Sequence, residues 1–257
     1  MSFFALIATV VTPTPIPTPL TTPTPVPSPT APSIHDLIQN TVNGPNGGPA
    51  ESVVVLIGIT LLSVAPALIL MMSSFTKIFV VLAMTRNALG LQSIPPNQIL
   101  AGLALFLSIF IMWPVLTHIN VDAVQPYLKG SIDINQAISA ASGPLRTFML
   151  AHTRQEDLAL MTRAAGRANP KNPSDVSLST LIPAFMISEL RSAFIIGFVI
   201  FVPFLVIDLV VSSALMAMGM MMLPPVMVSL PFKILLFVLV DGWGLLVTTL
   251  VGSYGSG

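Results

Sequence analysis

The chain has 257 residues, of which 54% are hydrophobic and only 8% charged. Soluble domains carry roughly 25% charged residues, so this composition excludes an ordinary soluble globular protein and points to an integral membrane protein. Ten basic residues balance ten acidic ones and no cysteine is present. The balance gives no reason to expect a nucleic-acid partner, and the missing thiols exclude disulfides, thiolate metal sites and cysteine nucleophiles.

Met1 to Val11 form a short apolar run with no positive charge ahead of it. It has the apolar centre of a secretory signal but not the basic start, and reads as a degenerate signal sequence. Thr12 to Ser33 alternate Thr or Ser with Pro, which favours extended polyproline conformations and a spacer role. Ile34 to Val42 could form one short amphipathic helix, and Asn43 to Pro49 is a breaker. Residues 1–50 are therefore expected to be a leader, and residues 51–257 the membrane domain.

Four hydrophobic segments follow. Val53 to Met84 contains one charge, Lys77. As straight helix it would measure about 48 Å against a hydrocarbon layer of roughly 30 Å. Pro66 is expected to kink it, and Ser73, Ser74 and Lys77 to mark its exit from the apolar zone. Ile99 to Leu116 is the second segment, opened by Ile94-Pro-Pro-Asn97. Lys77 and Arg86, with no acid between Thr85 and Gln98, put the connection on the cytoplasmic side by the positive-inside rule. His118 to Thr180 is polar, with helices expected at Ile134 to Ala141 and Leu145 to Ala165 and a stop at Asn169-Pro-Lys-Asn-Pro173. It then lies on the extracytoplasmic side, as does the C-terminus. The third segment runs from about Pro183 to Leu215 and the fourth from Val226 to Val251. The expected fold is all-α: a multi-span helical membrane protein with a helical polar region between its second and third segments.

Three constellations stand out. Asp208 lies deep in the third segment, which Glu189 and Arg191 open, while Lys233 and Asp241 lie in the fourth. An ionisable group in an apolar helix needs a partner or a water-filled cavity. These charges suit either a proton relay or ion pairs that fix how helices and subunits dock, and we favour docking because a relay needs a more continuous series of acids and histidines. Glu189 and Arg191, two apart, must face different partners. The joining turn, Ala217-Met-Gly-Met-Met-Met-Leu-Pro-Pro225, is uncharged and crowded with methionine. Methionine commonly fills irregular core gaps, but consecutive Met220, Met221 and Met222 cannot all face one core. A ring of such turns would make a deformable seal around a pore. Copper(I) coordination by thioethers finds no supporting Cys or His. No zinc, nucleophile-elbow or phosphate-loop motif is present, and His35, His118 and His152 are scattered, so neither an enzyme nor a cofactor is expected.

Specific strings then accumulate. Ser74-Phe-Thr-Lys-Ile-Phe-Val-Val, Arg86-Asn-Ala-Leu-Gly90, Pro95-Pro-Asn-Gln98, Ser188-Glu-Leu190, Ile207-Asp-Leu209, Met218-Gly-Met-Met-Met222, Leu230-Pro-Phe-Lys233 and Asp241-Gly-Trp243 resemble the flagellar export-gate family FliP and its injectisome relatives. The likeness covers roughly residues 52 to 252; the Thr/Pro-rich leader is not part of the pattern. The resemblance implies a non-enzymatic, pore-forming subunit of the type III export gate in the bacterial inner membrane, at the flagellar basal body. It implies a homo-oligomer joined by FliQ-like and FliR-like subunits and other export-apparatus membrane proteins, in contact with membrane lipids and passing unfolded flagellar proteins. The family's methionine gasket falls on Met220, Met221 and Met222, and its intersubunit or interhelix charge contacts on Glu189, Asp208 and Lys233. A proton- or ion-coupled transporter using Asp208, Lys233 and Asp241 is the alternative, and a scaffold without a conduit a third reading.

Overall fold

The computed structural model describes residues 51–167, 175–220 and 222–255. The leader, the stop at Asn169 to Pro173 and Met221 lie outside the described residues. The chain divides into two units, Met1–Gly58 and Ile59–Gly257. In the first, the described residues are the opening turns of a helix; the remainder of the description concerns the second.

All regular structure among the described residues is helical: α1 Glu51–Met71, α2 Phe75–Ala88, α3 Asn97–Ile119, a π-helical turn Asn120–Val124, α4 Gln125–Leu128, α5 Ile134–Ala151, α6 Gln155–Ala164, α7 Leu178–Ala217, α8 Pro225–Leu239 and α9 Gly242–Gly252. Two continuous stretches, Asn97–Leu128 and Leu178–Ala217, are long and apolar enough to cross a membrane; counting α1–α2 and α8–α9 as bent spans gives up to four.

The first hydrophobic segment breaks where sequence did not put the kink. Pro66 stays inside α1, and the chain turns by 64° between α1 and α2, at Met72 to Ser74. Hydroxyls explain the position. Ser73 Oγ donates to Leu70 O, Ser74 Oγ to Ser108 Oγ at 3.0 Å, and Ser108 Oγ to Ser73 Oγ at 3.4 Å. Side chains from α3 and the turn thus satisfy polar groups that an apolar zone would leave orphaned.

A second difference concerns the polar region. The two helices expected on either side of Ser142 to Pro144 are one, Ile134–Ala151, and the break falls at His152 to Arg154. Asp133 and Gln136 form a reciprocal capping box at its start. At its end His152 Nδ1 pairs with Phe148 O at 2.8 Å, and Thr153 Oγ1 donates to Met149 O at 2.6 Å. Side chains there occupy carbonyls that the next helical turn would have used.

Helix α2 is the centre of the main core. Ile78, Val81, Leu82, Thr85 and Ala88 recur at helical spacing and are buried, packed with Leu100, Ala104, Ala193, Phe204 and Phe237. Gly197 of α7 lies against Met84 of α2, where any Cβ would meet the Met84 side chain. A second core joins α3, α5 and the start of α7 through Met112, Phe148, Met149, Leu181 and Phe185. The 40 residues of α7 extend about 60 Å, twice the hydrocarbon thickness. The fourth hydrophobic segment is not one helix either: α8 and α9 meet at 61°, where Asp241 takes a left-handed φ of 50° and its carboxylate accepts from Gly244 N at 3.4 Å.

Candidate functional site

Two ion pairs, one buried and one half-buried, and one exposed loop carry the candidate chemistry. Lys77 of α2 and Glu189 of α7 sit 3.6 Å apart, with side chains 3% and 2% exposed. Burial overturns the reading of Lys77 as a topological marker near the membrane surface: the i to i+4 stripe that buries Ile78 and Val81 carries Lys77 inward too, towards the carboxylate. Only Arg86, which donates to Pro95 O at 3.1 Å and Asn97 Oδ1 at 2.7 Å, remains in the connection. Tyr254, just past α9, completes the pair. Its hydroxyl donates to Glu189 Oε2, Lys77 Nζ lies 4.0 Å from its ring centroid, and the ring stacks on Phe148 and leans on His152. Burial, and then the Glu189 charge, push the Tyr254 phenol well above its usual range, so it stays a donor. Four segments therefore converge on one carboxylate. Tyr254→Phe keeps the ring and removes the charge-assisted bond; we expect a loss of about 2 kcal/mol, read from unfolding in detergent, whereas an unchanged midpoint would mean that ring packing alone holds the turn.

The second pair joins α7 and α8. Lys233 Nζ donates to Asp208 Oδ2 at 2.6 Å and to Ala88 O at 3.2 Å, at the end of α2. Ser229 Oγ donates to Asp208 Oδ1 at 2.5 Å. Lys233 is 3% exposed and Asp208 30%. Both acids named in the third segment thus find a cation within the chain, on the helices the sequence left open. Asp241, grouped with them in the transporter reading, is exposed and caps α9.

Arg191 turns away from Glu189, as their spacing requires, and lies 3.6 Å from Glu156 of α6, which also meets Arg154 at 3.5 Å. Beside them Ser188 Oγ donates to the buried Asp157 at 2.8 Å and accepts from Arg154 N at 3.0 Å. Sequence reasoning missed both Tyr254 and the Ser188–Asp157 bond. The one available signal was chemical: a lone amphipathic ring closing an apolar run, and an acid at the start of a short helix. Neither names its partner.

The methionine turn projects from the other end of α7. Met218, Met220 and Met222 are 64%, 43% and 99% exposed, and no charged residue occurs from Leu209 to Phe232. Gly219 takes a φ of 72° that ends α7, and Pro224 and Pro225 start α8. Among the described residues no group of His, Cys, Asp or Glu could hold a metal ion.

The model of the FliP family matches residues 58–250, from within α1 to within the last turn of α9. The chain belongs to the FliP family. The flagellar biosynthetic protein FliP of Bacillus subtilis (strain 168) is 53% identical over 205 residues, 80% of this chain and 93% of that protein. Its counterpart in Pectobacterium carotovorum is 50% identical over 230 residues, 88% of this chain and 89% of the relative, and that of Aquifex aeolicus 44% identical over 210 residues, 81% and 88%. FliP-family proteins are structural components of the export gate and not enzymes, which places this chain in the bacterial inner membrane at the flagellar basal body. Family membership also implies association with other components of the export apparatus.

Proposed function

We propose that the chain is a pore-forming subunit of the flagellar type III export gate. Several copies join FliQ-like and FliR-like subunits, unfolded flagellar proteins pass through the centre, and the Met220 to Met222 turn seals the closed channel. The observation that carries this reading is the exposure of an uncharged methionine turn at the end of a helix too long for the bilayer. A turn with no polar side chain is out of place in water, and lipid would leave its irregular backbone unpaired. A lumen shared by several copies suits it, because thioethers are soft enough to close on one another and to part around a passing chain. Helix α7 supports the same view: only 11% of its most apolar stretch is buried within the chain, which leaves a long face for neighbouring subunits. Glu189, Asp208 and Lys233 hold the helices that present this face, in the register that assembly requires.

Replacing Met220, Met221 and Met222 together with Ala is expected to raise the permeability of the membrane to small ions several-fold in cells expressing the full apparatus, with assembly intact. Unchanged ion flux in an assembled gate would sink the seal and favour a scaffold without a conduit. Solute uptake by vesicles holding this chain alone would instead favour a transporter.

A further inference from the structure

Methionine is spread unevenly over this chain. Six described methionines are exposed, and five of them, Met216, Met218, Met220, Met222 and Met227, form or flank the turn between α7 and α8. The sixth is Met71, at the end of α1. Met149 and Met112, in the second core, are 0% and 5% exposed. No side chain from Ala214 to Val228 carries oxygen or nitrogen, and the chain holds no cysteine. The thioethers are therefore its only sulfur, concentrated on an exposed turn with no other polar side chain. A thioether is polarisable, and it takes up one oxygen atom reversibly.

We propose that the turn is a reversible oxidation site, where hydrogen peroxide converts Met218, Met220 and Met222 to sulfoxides and so opens the seal. The effect on the seal rests on the proposed role of the turn in closing a channel. In the reaction a sulfur lone pair attacks one peroxide oxygen, the S–O bond forms, the O–O bond breaks, and the second oxygen leaves as water. Sulfur loses two electrons and the peroxide gains them. An apolar constriction stops ions by excluding water, and each sulfoxide oxygen gives water an acceptor there. Sulfoxides on Met222, 99% exposed, and its neighbours would be the first polar side chains between Ala214 and Val228. Oxidation adds an atom to each side chain, so the leak arises from wetting and not from a gap. Peroxide is little larger than water and enters wherever the turn meets solvent, whereas Met149 is beyond its reach until the chain unfolds.

The test treats the purified full chain and the assembled gate with hydrogen peroxide and maps the gain of one oxygen per methionine by peptide mass spectrometry. The turn methionines are expected to oxidise about tenfold faster than Met149 and Met112 in both preparations. In vesicles carrying the assembled gate, the same treatment should raise small-ion flux several-fold, and methionine sulfoxide reductases should reverse the rise. In Met218→Leu/Met220→Leu/Met221→Leu/Met222→Leu, which keeps apolar bulk without sulfur, flux should not rise above its own value before treatment. Turn methionines that oxidise no faster than Met149 would overturn the proposal, as would an equal peroxide response in the Leu variant. The Ala variant described above separates this switch from the seal itself. If that variant leaks and the fully oxidised gate does not, the seal stands and the switch falls; if neither leaks, both fall.

Discussion

Glu189→Leu is expected to destabilise the purified protein by about 3–5 kcal/mol. The substitution leaves Lys77, 3% exposed, with no counter-charge, and takes the acceptor from the Tyr254 hydroxyl. What is lost is chiefly the compensation of a cation that cannot reach water. The double variant Lys77→Met/Glu189→Leu should therefore recover most of the loss, because two apolar groups of similar volume remove the buried charge along with its partner. Denaturant unfolding in detergent would read both. A single variant that costs less than about 1 kcal/mol, the effect of an ordinary surface change, would mean that Lys77 finds water in the native state. A double variant as unstable as the single would mean that the pair fixes the geometry of α2 on α7 beyond its charge.

Asp208 and Lys233 should behave asymmetrically. Asp208→Leu leaves a cation that is 3% exposed, whereas Lys233→Met leaves a carboxylate that is 30% exposed and still bonded to Ser229. The first is expected to cost about 3–5 kcal/mol and the second clearly less, since Asp208 can hydrate. Lys233 also holds Ala88 O, so its loss should loosen the end of α2 and speed hydrogen exchange at Leu89 and Gly90. Equal losses in the two variants would contradict the exposure difference. Because this pair braces α7 against α8 on either side of the methionine turn, Asp208→Leu should also lower the yield of assembled gate before it changes permeability.

The elements most legible in sequence were those fixed by composition along the chain. Long apolar runs announced α3 and α7 almost to their ends, and the Met-Gly to Pro-Pro turn stopped one helix and opened the next as the backbone rules require. The spacing of Glu189 and Arg191 announced two separate partners. Helix breaks were less legible. Pro66 and a gap between Ala141 and Leu145 attracted the prediction, yet hydroxyls at Ser73, Ser74 and Thr153 and the imidazole of His152 decided where the chain turned. Proline is visible in one dimension, but a serine breaks a helix only when another helix brings it a partner, as α3 does with Ser108. Lys77 was misplaced for the same reason: a lysine in an apolar run signals an exit only when no acid waits inside.

Sequence alone determined the class of the protein, its family and the presence of an uncharged methionine turn, because hydropathy, breakers and motif strings are properties of neighbouring residues. Tertiary structure decided which charges meet, that Tyr254 closes the Lys77–Glu189 pair across 65 positions, and that Arg154 and Arg191 share Glu156. Those facts depend on the energy of burying a charge, which is settled by what lies across the space and not by what lies along the chain.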